Sequence, residues 1–91
     1  MSLRICEYVL VNDERRLKKI MKSKRLKLRT LYRKMQCDGQ NLLTFAASSK
    51  ALDVGEFIIS TISKNDLAGN IKEIKGKSMH LASFANERMD N

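Results

Sequence analysis

The residues of this 91-residue chain that could do chemistry are one histidine, two cysteines and a dense run of cations. No nucleophile and orienting carboxylate accompany His80 in a recognisable pattern, so general-base catalysis there is not expected. Cys6 and Cys37, with that single histidine, cannot supply a Cys/His zinc site of the usual spacing. Two cysteines are also too few for a disulfide framework. They read as reduced thiols that act as small apolar fillers, which places the protein inside the cell. No phosphate loop, dinucleotide fingerprint or paired-carboxylate motif is present. The sequence therefore predicts no catalytic residue, no metal and no cofactor, and it reads as something other than an enzyme.

The cations point to anion recognition instead. Eleven bases fall between Arg15 and Lys34, and no acid lies between Glu14 and Asp38. The formal charge of the chain is +8, so this one segment carries +11 against −3 for everything else. Leu17, Leu26, Leu28, Leu31 and Tyr32 interleave with the charges, which separates the segment from a disordered basic tail. A field of this kind attracts acidic proteins, nucleic acid or anionic surfaces, and the pattern alone does not choose among them. The longest uninterrupted apolar run is four residues, Tyr8 to Val11, too short for a membrane span. No short apolar run follows a basic start, so a leader peptide is not expected.

The elements that position these residues are helical. Apolar density over Leu3 to Val11 predicts a short buried helix, and Asn12-Asp13 breaks it, with Asp13 as the next N-cap. Leu17, Ile20 and Met21 give residues 14–23 a helical face. Residues 24–37 carry both strand-like and helical spacing, and a short helix within 28–35 is the favoured reading. Asp38-Gly39 signals a turn. Leu42 to Ser49 and Asp53 to Ser63 follow as helices, the second striped by Val54, Phe57, Ile58 and Ile62, a packed core face. Gly55 lies inside it and would allow close helix approach. Residues 64–77, with Gly69 and Gly76, are expected as a long polar loop, and Met79 to Ala85 as a final short helix.

Parts of the chain are self-similar. Phe45-Ala46-Ala47 aligns with Leu81-Ala82-Ser83 after 36 residues, and Ile5 to Val9 precedes Leu43 to Ala47 by 38. The turns at Asn12-Asp13 and Lys50-Ala51 also lie 38 apart. Asp38-Gly39-Gln40-Asn41-Leu42-Leu43-Thr44-Phe45-Ala46-Ala47, continuing through Leu52 to Ile59, resembles an ankyrin repeat, whose D-G-x-T-P-L-H-L-A-A block opens a unit of about 33 residues. Lys77 to Ser83 resembles the opening of a further unit. Ile5 to Met21 resembles an N-terminal variant without the T-P-L-H turn. Asn41-Leu42 replaces Thr-Pro, and Thr44 replaces the usual histidine.

The resemblance implies an all-α fold: a short stack of helix-turn-helix repeats with long inter-repeat loops. One domain spans residues 1–91, with repeats at about 3–37 and 38–73 and a partial repeat at about 74–91. A compact six-helix bundle is the alternative, and it requires helix across 64–77. The resemblance gives His80 a structural role, bonding its ring to the turn backbone. It also implies a non-catalytic protein-binding module. Its partner would contact Arg33, Lys34, Gln36 and Gln40 at the first tip, Ser48 and Ser49 on the inner helix, and Lys72, Lys75 and Lys77 at the second tip. Spacings of 38 and 36 residues against a unit of about 33 imply loop insertions, and Arg25, Lys27 and Arg29 fall in the first of them. The expected partner is an acidic protein. Nucleic-acid or phosphate-surface binding by residues 15–34 is the second expectation, and a homodimer through an exposed repeat end the third. The expected setting is cytoplasm or nucleus, or a host cell into which the protein is delivered.

Overall fold

A computed structural model describes residues 4–90. Among them the chain forms eight helices: α1 (Ile5–Leu10), α2 (Glu14–Ser23), α3 (Leu28–Lys34), α4 (Leu42–Ser48), α5 (Leu52–Thr61), α6 (Lys64–Ala68), α7 (Ile71–Lys75) and α8 (Met79–Asp90). The expected all-α class is thus observed. Extended pairing among the described residues is confined to a bridge between Cys37 and Gln40. The Asp38-Gly39 turn closes that bridge with φ of 54° and 76°. Two successive positive φ values favour this residue pair in a two-residue hairpin turn. Leu3, the expected start of the first helix, lies outside the described residues.

Short-range chemistry sets the helix ends. Asp13 caps α2 by accepting the Arg16 amide at 3.0 Å, and Asn41 caps α4 by accepting that of Thr44 at 2.8 Å. Three helices, α1, α2 and α4, end in one manner. Asn12, Arg25 and Lys50 take left-handed φ of 58°, 55° and 59°. The next amide in each case reaches back along the helix: Asp13 to Tyr8 O at 2.8 Å, Leu26 to Met21 O at 2.8 Å, and Ala51 to Ala46 O at 2.9 Å. This closure satisfies carbonyls that a helix terminus otherwise leaves unpaired.

The helices pack as two rows. One runs α1, α4, α7 and the other α2, α5, α8, with α1 against α2, α4 against α5 and α7 against α8. Small residues line the inner row, where Ala46 and Ala47 are fully buried beside Leu42 and Leu43. In the outer row Gly55 faces Leu81 so closely that a Cβ at that position would stand 2.5 Å from Leu81 Cδ1. The close approach anticipated at Gly55 is therefore present. Arg88 on α8 donates to the carbonyl oxygens of Ile59 and Ile62, at and just beyond the C-terminal end of α5. Thr44 is buried, and its Oγ1 has no hydrogen-bond partner among the described residues.

Several expectations need correction. Residues 64–77 are not a loop but the two short helices α6 and α7. Ser63 caps α6 through the Asp66 amide at 3.2 Å, and Leu67 and Ile74 are fully buried. Gly69 and Gly76 stand at the C-caps of α6 and α7, so they end helices instead of preventing them. Helix across 64–77 is the condition that the bundle alternative required. The final helix is longer than expected, twelve residues from Met79 to Asp90. It packs chiefly on α5 and α7, whereas α7 is the helix beside α4. The likeness of Leu81-Ala82 to Phe45-Ala46 therefore does not correspond to equivalent packing.

His80 does not bond the turn backbone. Its Nε2 meets Glu56 Oε2 at 2.5 Å on an exposed surface. The cysteines are not free thiols either: Cys6 and Cys37 form a disulfide that joins α1 to the hairpin before α4. Because α1 packs on α4, their Cα atoms come within 5.6 Å despite a sequence separation of 31. The bond removes the reduced-thiol premise on which an intracellular placement rested. No helix among the described residues is long and apolar enough to cross a membrane.

Candidate basic interaction surface

The centre of the basic segment is α3, a helix within the range that its Leu28, Leu31, Tyr32 and Met35 spacing predicts. Leu28 and Tyr32 are buried and anchor it to the core. Arg33 and Lys34 occupy its last turn, where cations meet the negative end of the helix dipole. Its remaining side chains divide between internal ties and free charge.

Arg29 Nε donates to Thr61 O at 3.2 Å, and Arg33 Nε pairs with Asp66 Oδ2 at 3.1 Å. These two arginines lie one helical turn apart, so one face of α3 is tied to the α5–α6 region. Tyr32 forms a further tie. Its hydroxyl accepts from Asn70 Nδ2 at 2.8 Å, and Asn70 Oδ1 accepts from Asn41 Nδ2 at 2.6 Å. Asn41 in turn caps α4, so a polar chain connects α3, the start of α7 and the start of α4. Burial pushes the Tyr32 phenol well above its ordinary value. The Asp66 charge adds to that rise, and the Asn70 hydrogen bond opposes it.

The other side of α3 is open. Arg25, Lys27 and Lys34 surround Leu26, Thr30 and Leu31 in a shallow groove of about 340 Å³. Leu26 and Leu31 are half-buried and form its apolar floor. None of the three cations has an ion-pair partner among the described residues. A neighbouring depression of about 390 Å³ shares Thr30 and Lys34 and adds Arg29, Arg33 and Ser63. The structure thus brings together Arg25, Lys27, Arg29, Arg33 and Lys34 around one helix. An acidic side chain can pair with the free cations there while an apolar one covers the leucines.

The other expected partner-binding residues do not line these depressions. Gln36 is exposed before the hairpin. Gln40 and Ser48 are bonded to each other, with Ser48 Oγ donating to Gln40 Oε1 at 3.0 Å. Ser49 caps the end of α4. Lys72 and Lys75 are exposed on α7 instead of at a loop tip. The Lys77 carbonyl accepts from Lys50 Nζ at 2.9 Å.

A second groove, of about 420 Å³, was not anticipated. It lies between α1 and α2 and is lined by Tyr8, Arg16, Lys19, Ile20, Ser23 and Lys24. Its sequence signal was Tyr8 and Ile20, apolar side chains at the edges of the buried faces of their helices. The polar chain through Asn41 and Asn70 was also missed, although an asparagine directly before the apolar run at Leu42 is an N-cap signal.

No curated protein and no solved structure matches the chain. A family signature does match over residues 5–69, which run from the start of α1 to the end of α6 and include both cysteines and the whole basic segment. On that match the chain belongs to the family described as a protein of unknown function, DUF3718.

Proposed function

We propose that the chain is a non-catalytic protein-binding module that takes an acidic partner on the open side of α3. The observation that carries this reading is the groove at Arg25, Lys27 and Lys34, where unpaired cations enclose an apolar floor and no acid lines the wall. Cations around an apolar patch give an acidic protein both electrostatic steering and a surface to bury. Arg29 and Arg33 serve as struts and contribute field more than direct contact, since each is bonded internally. The pairing of α1 with α2 and of α4 with α5 in two rows is compatible with an ankyrin-like arrangement of the first two helix pairs. The Cys6–Cys37 bond fits work in an oxidising environment, since cytosolic thiols are mostly kept reduced.

Duplex binding through the same cations is the competing outcome. Stacking on single strands is disfavoured because Tyr32, the ring within the basic segment, is buried and hydrogen-bonded. The deciding experiment titrates the protein with an acidic protein probe and with a mixed-sequence DNA duplex across a salt series. The proposal expects tighter binding to the acidic protein, weakened about tenfold by Arg25→Glu with Lys27→Glu. Sequence-independent duplex binding with a log–log salt slope of about −0.9 per phosphate, abolished by the same pair, would overturn it.

A further inference from the structure

We propose that the α1/α2 end of the helix stack is a second docking surface, and that its occupant is an acidic amphipathic helix of another protein. The proposal goes beyond the α3 reading and uses none of the residues lining the α3 groove. α1 packs on α2 and α4, and α2 packs on α1 and α5. The groove between them takes its whole lining from these two helices and the α2 cap, and no other described element lines it. Tyr8 and Ile20 pack against the core with one side and remain half-exposed on the other.

The charge around this floor selects the occupant. Every charged side chain lining the groove is a cation: Arg16, Lys19 and Lys24. Arg16 reaches Asp13 at 3.4 Å, whereas Lys19 and Lys24 have no ion-pair partner among the described residues. A second copy of this chain docking here in a two-fold contact would bring the same cations against themselves. A phosphate backbone could meet the lysines but would leave Tyr8 and Ile20 facing a charged strand. A helix with an apolar side chain between carboxylates one turn away on either side satisfies both features. It covers the Tyr8–Ile20 floor and pairs the rim.

The test uses two fluorescein-labelled helical peptides of equal negative charge, one with leucines on one face between glutamates and one with serines instead. The leucine peptide is expected to bind about tenfold tighter. Lys19→Glu with Lys24→Glu, both at exposed positions, is expected to cost about tenfold, and more than Lys27→Glu with Lys34→Glu, which reverses the cations of the α3 groove. In proton spectra the Tyr8 ring signals shift on binding and those of Tyr32 do not. Equal affinity for the two peptides would overturn the proposal, as would displacement of the peptide by a DNA duplex or by phosphatidylserine vesicles. A dimeric sedimentation mass abolished by Tyr8→Ser would assign the surface to a second copy and overturn it too. Loss through the Lys27/Lys34 pair alone would remove this surface and leave the α3 reading standing.

Discussion

Gly55 concentrates in one residue the compromise that joins the outer helices. A glycine inside a helix costs about 1 kcal/mol relative to alanine, and α5 carries that cost in mid-helix. The return is contact with α8: a Cβ would sit 2.5 Å and 2.7 Å from the two Leu81 methyl carbons and 3.2 Å from Cγ. Leu81 is fully buried, so its methyl groups have little room to retreat. Overpacking of this kind costs about 1–3 kcal/mol, which exceeds the gain in helix propensity. Gly55→Ala is therefore expected to lower stability by about 1 kcal/mol in urea unfolding. Leu81→Ala alone should cost about 2–5 kcal/mol through the cavity it leaves. The double variant should be more stable than the sum of the two changes, because the new methyl occupies part of that cavity. Additive losses would show that α8 does not press on Gly55. The sequence exposed half of this relation, a glycine within an apolar stripe. Its partner, 26 residues away, had no local signal.

Among the elements, α5 shows how ends are secured from a distance. Two guanidinium groups reach its C-terminal carbonyls: Arg88 from α8 at Ile59 and Ile62, and Arg29 from α3 at Thr61. Cations there satisfy orphan acceptors and oppose the helix dipole. Arg88→Ala should cost about 1–2 kcal/mol in urea unfolding and speed amide exchange in the last turn of α5, with Arg88→Lys recovering part of the loss. An unchanged unfolding midpoint in Arg88→Ala would remove the capping role. The buried anchor of α3, Tyr32, makes a second, pH-dependent prediction. Tyr32 binds its proton more tightly folded than unfolded, chiefly through burial and then through Asp66. Stability from this group is complete below the unfolded phenol value of about 10 and falls as pH rises past it, because the unfolded state then releases the proton first. Tyr32→Phe should flatten the alkaline slope of stability, and Asn70 Nδ2 keeps its bond to Asp66 O at 2.8 Å in that variant. An equally steep slope in Tyr32→Phe would locate the alkaline transition elsewhere. Most of these elements were legible: α2, the Asp13 cap, the short α3 and the Asp38-Gly39 turn follow from spacing and capping residues. The 64–77 segment was misread although Leu67, Ile71 and Ile74 lie at i, i+4 and i+7. Its glycines weighed as breakers of the segment, whereas they punctuate two helices.

For the molecule as a whole, the covalent bond and the charge coincide. The Cys6–Cys37 disulfide, with a sequence separation of 31, encloses α2, α3 and all eleven cations of the basic segment. Such concentrated like charge repels itself, and only part is offset internally: Lys18 by Glu14, Arg16 by Asp13 and Arg33 by Asp66. A chain of this size buries only about 60–65% of its unfolded surface, so its core leaves little margin against that repulsion. Closing a loop of about 30 residues in the unfolded chain stabilises the fold by about 3–4 kcal/mol in the chain-entropy account. The pairing was not legible because cysteine count and spacing carry no information about which distant elements pack together. It follows only once α1 is seen against α4. Reduction by a phosphine at neutral pH should therefore lower unfolding free energy by about 3 kcal/mol, and Cys6→Ser with Cys37→Ser should match the reduced protein. The loss should also be greater at low salt than at high salt, because screening relieves the repulsion that the bond otherwise contains. Equal losses at both ionic strengths would leave the bond as an entropic staple alone and detach it from the basic surface. No loss at all would show that the packing of α1 on α4 holds the segment without it.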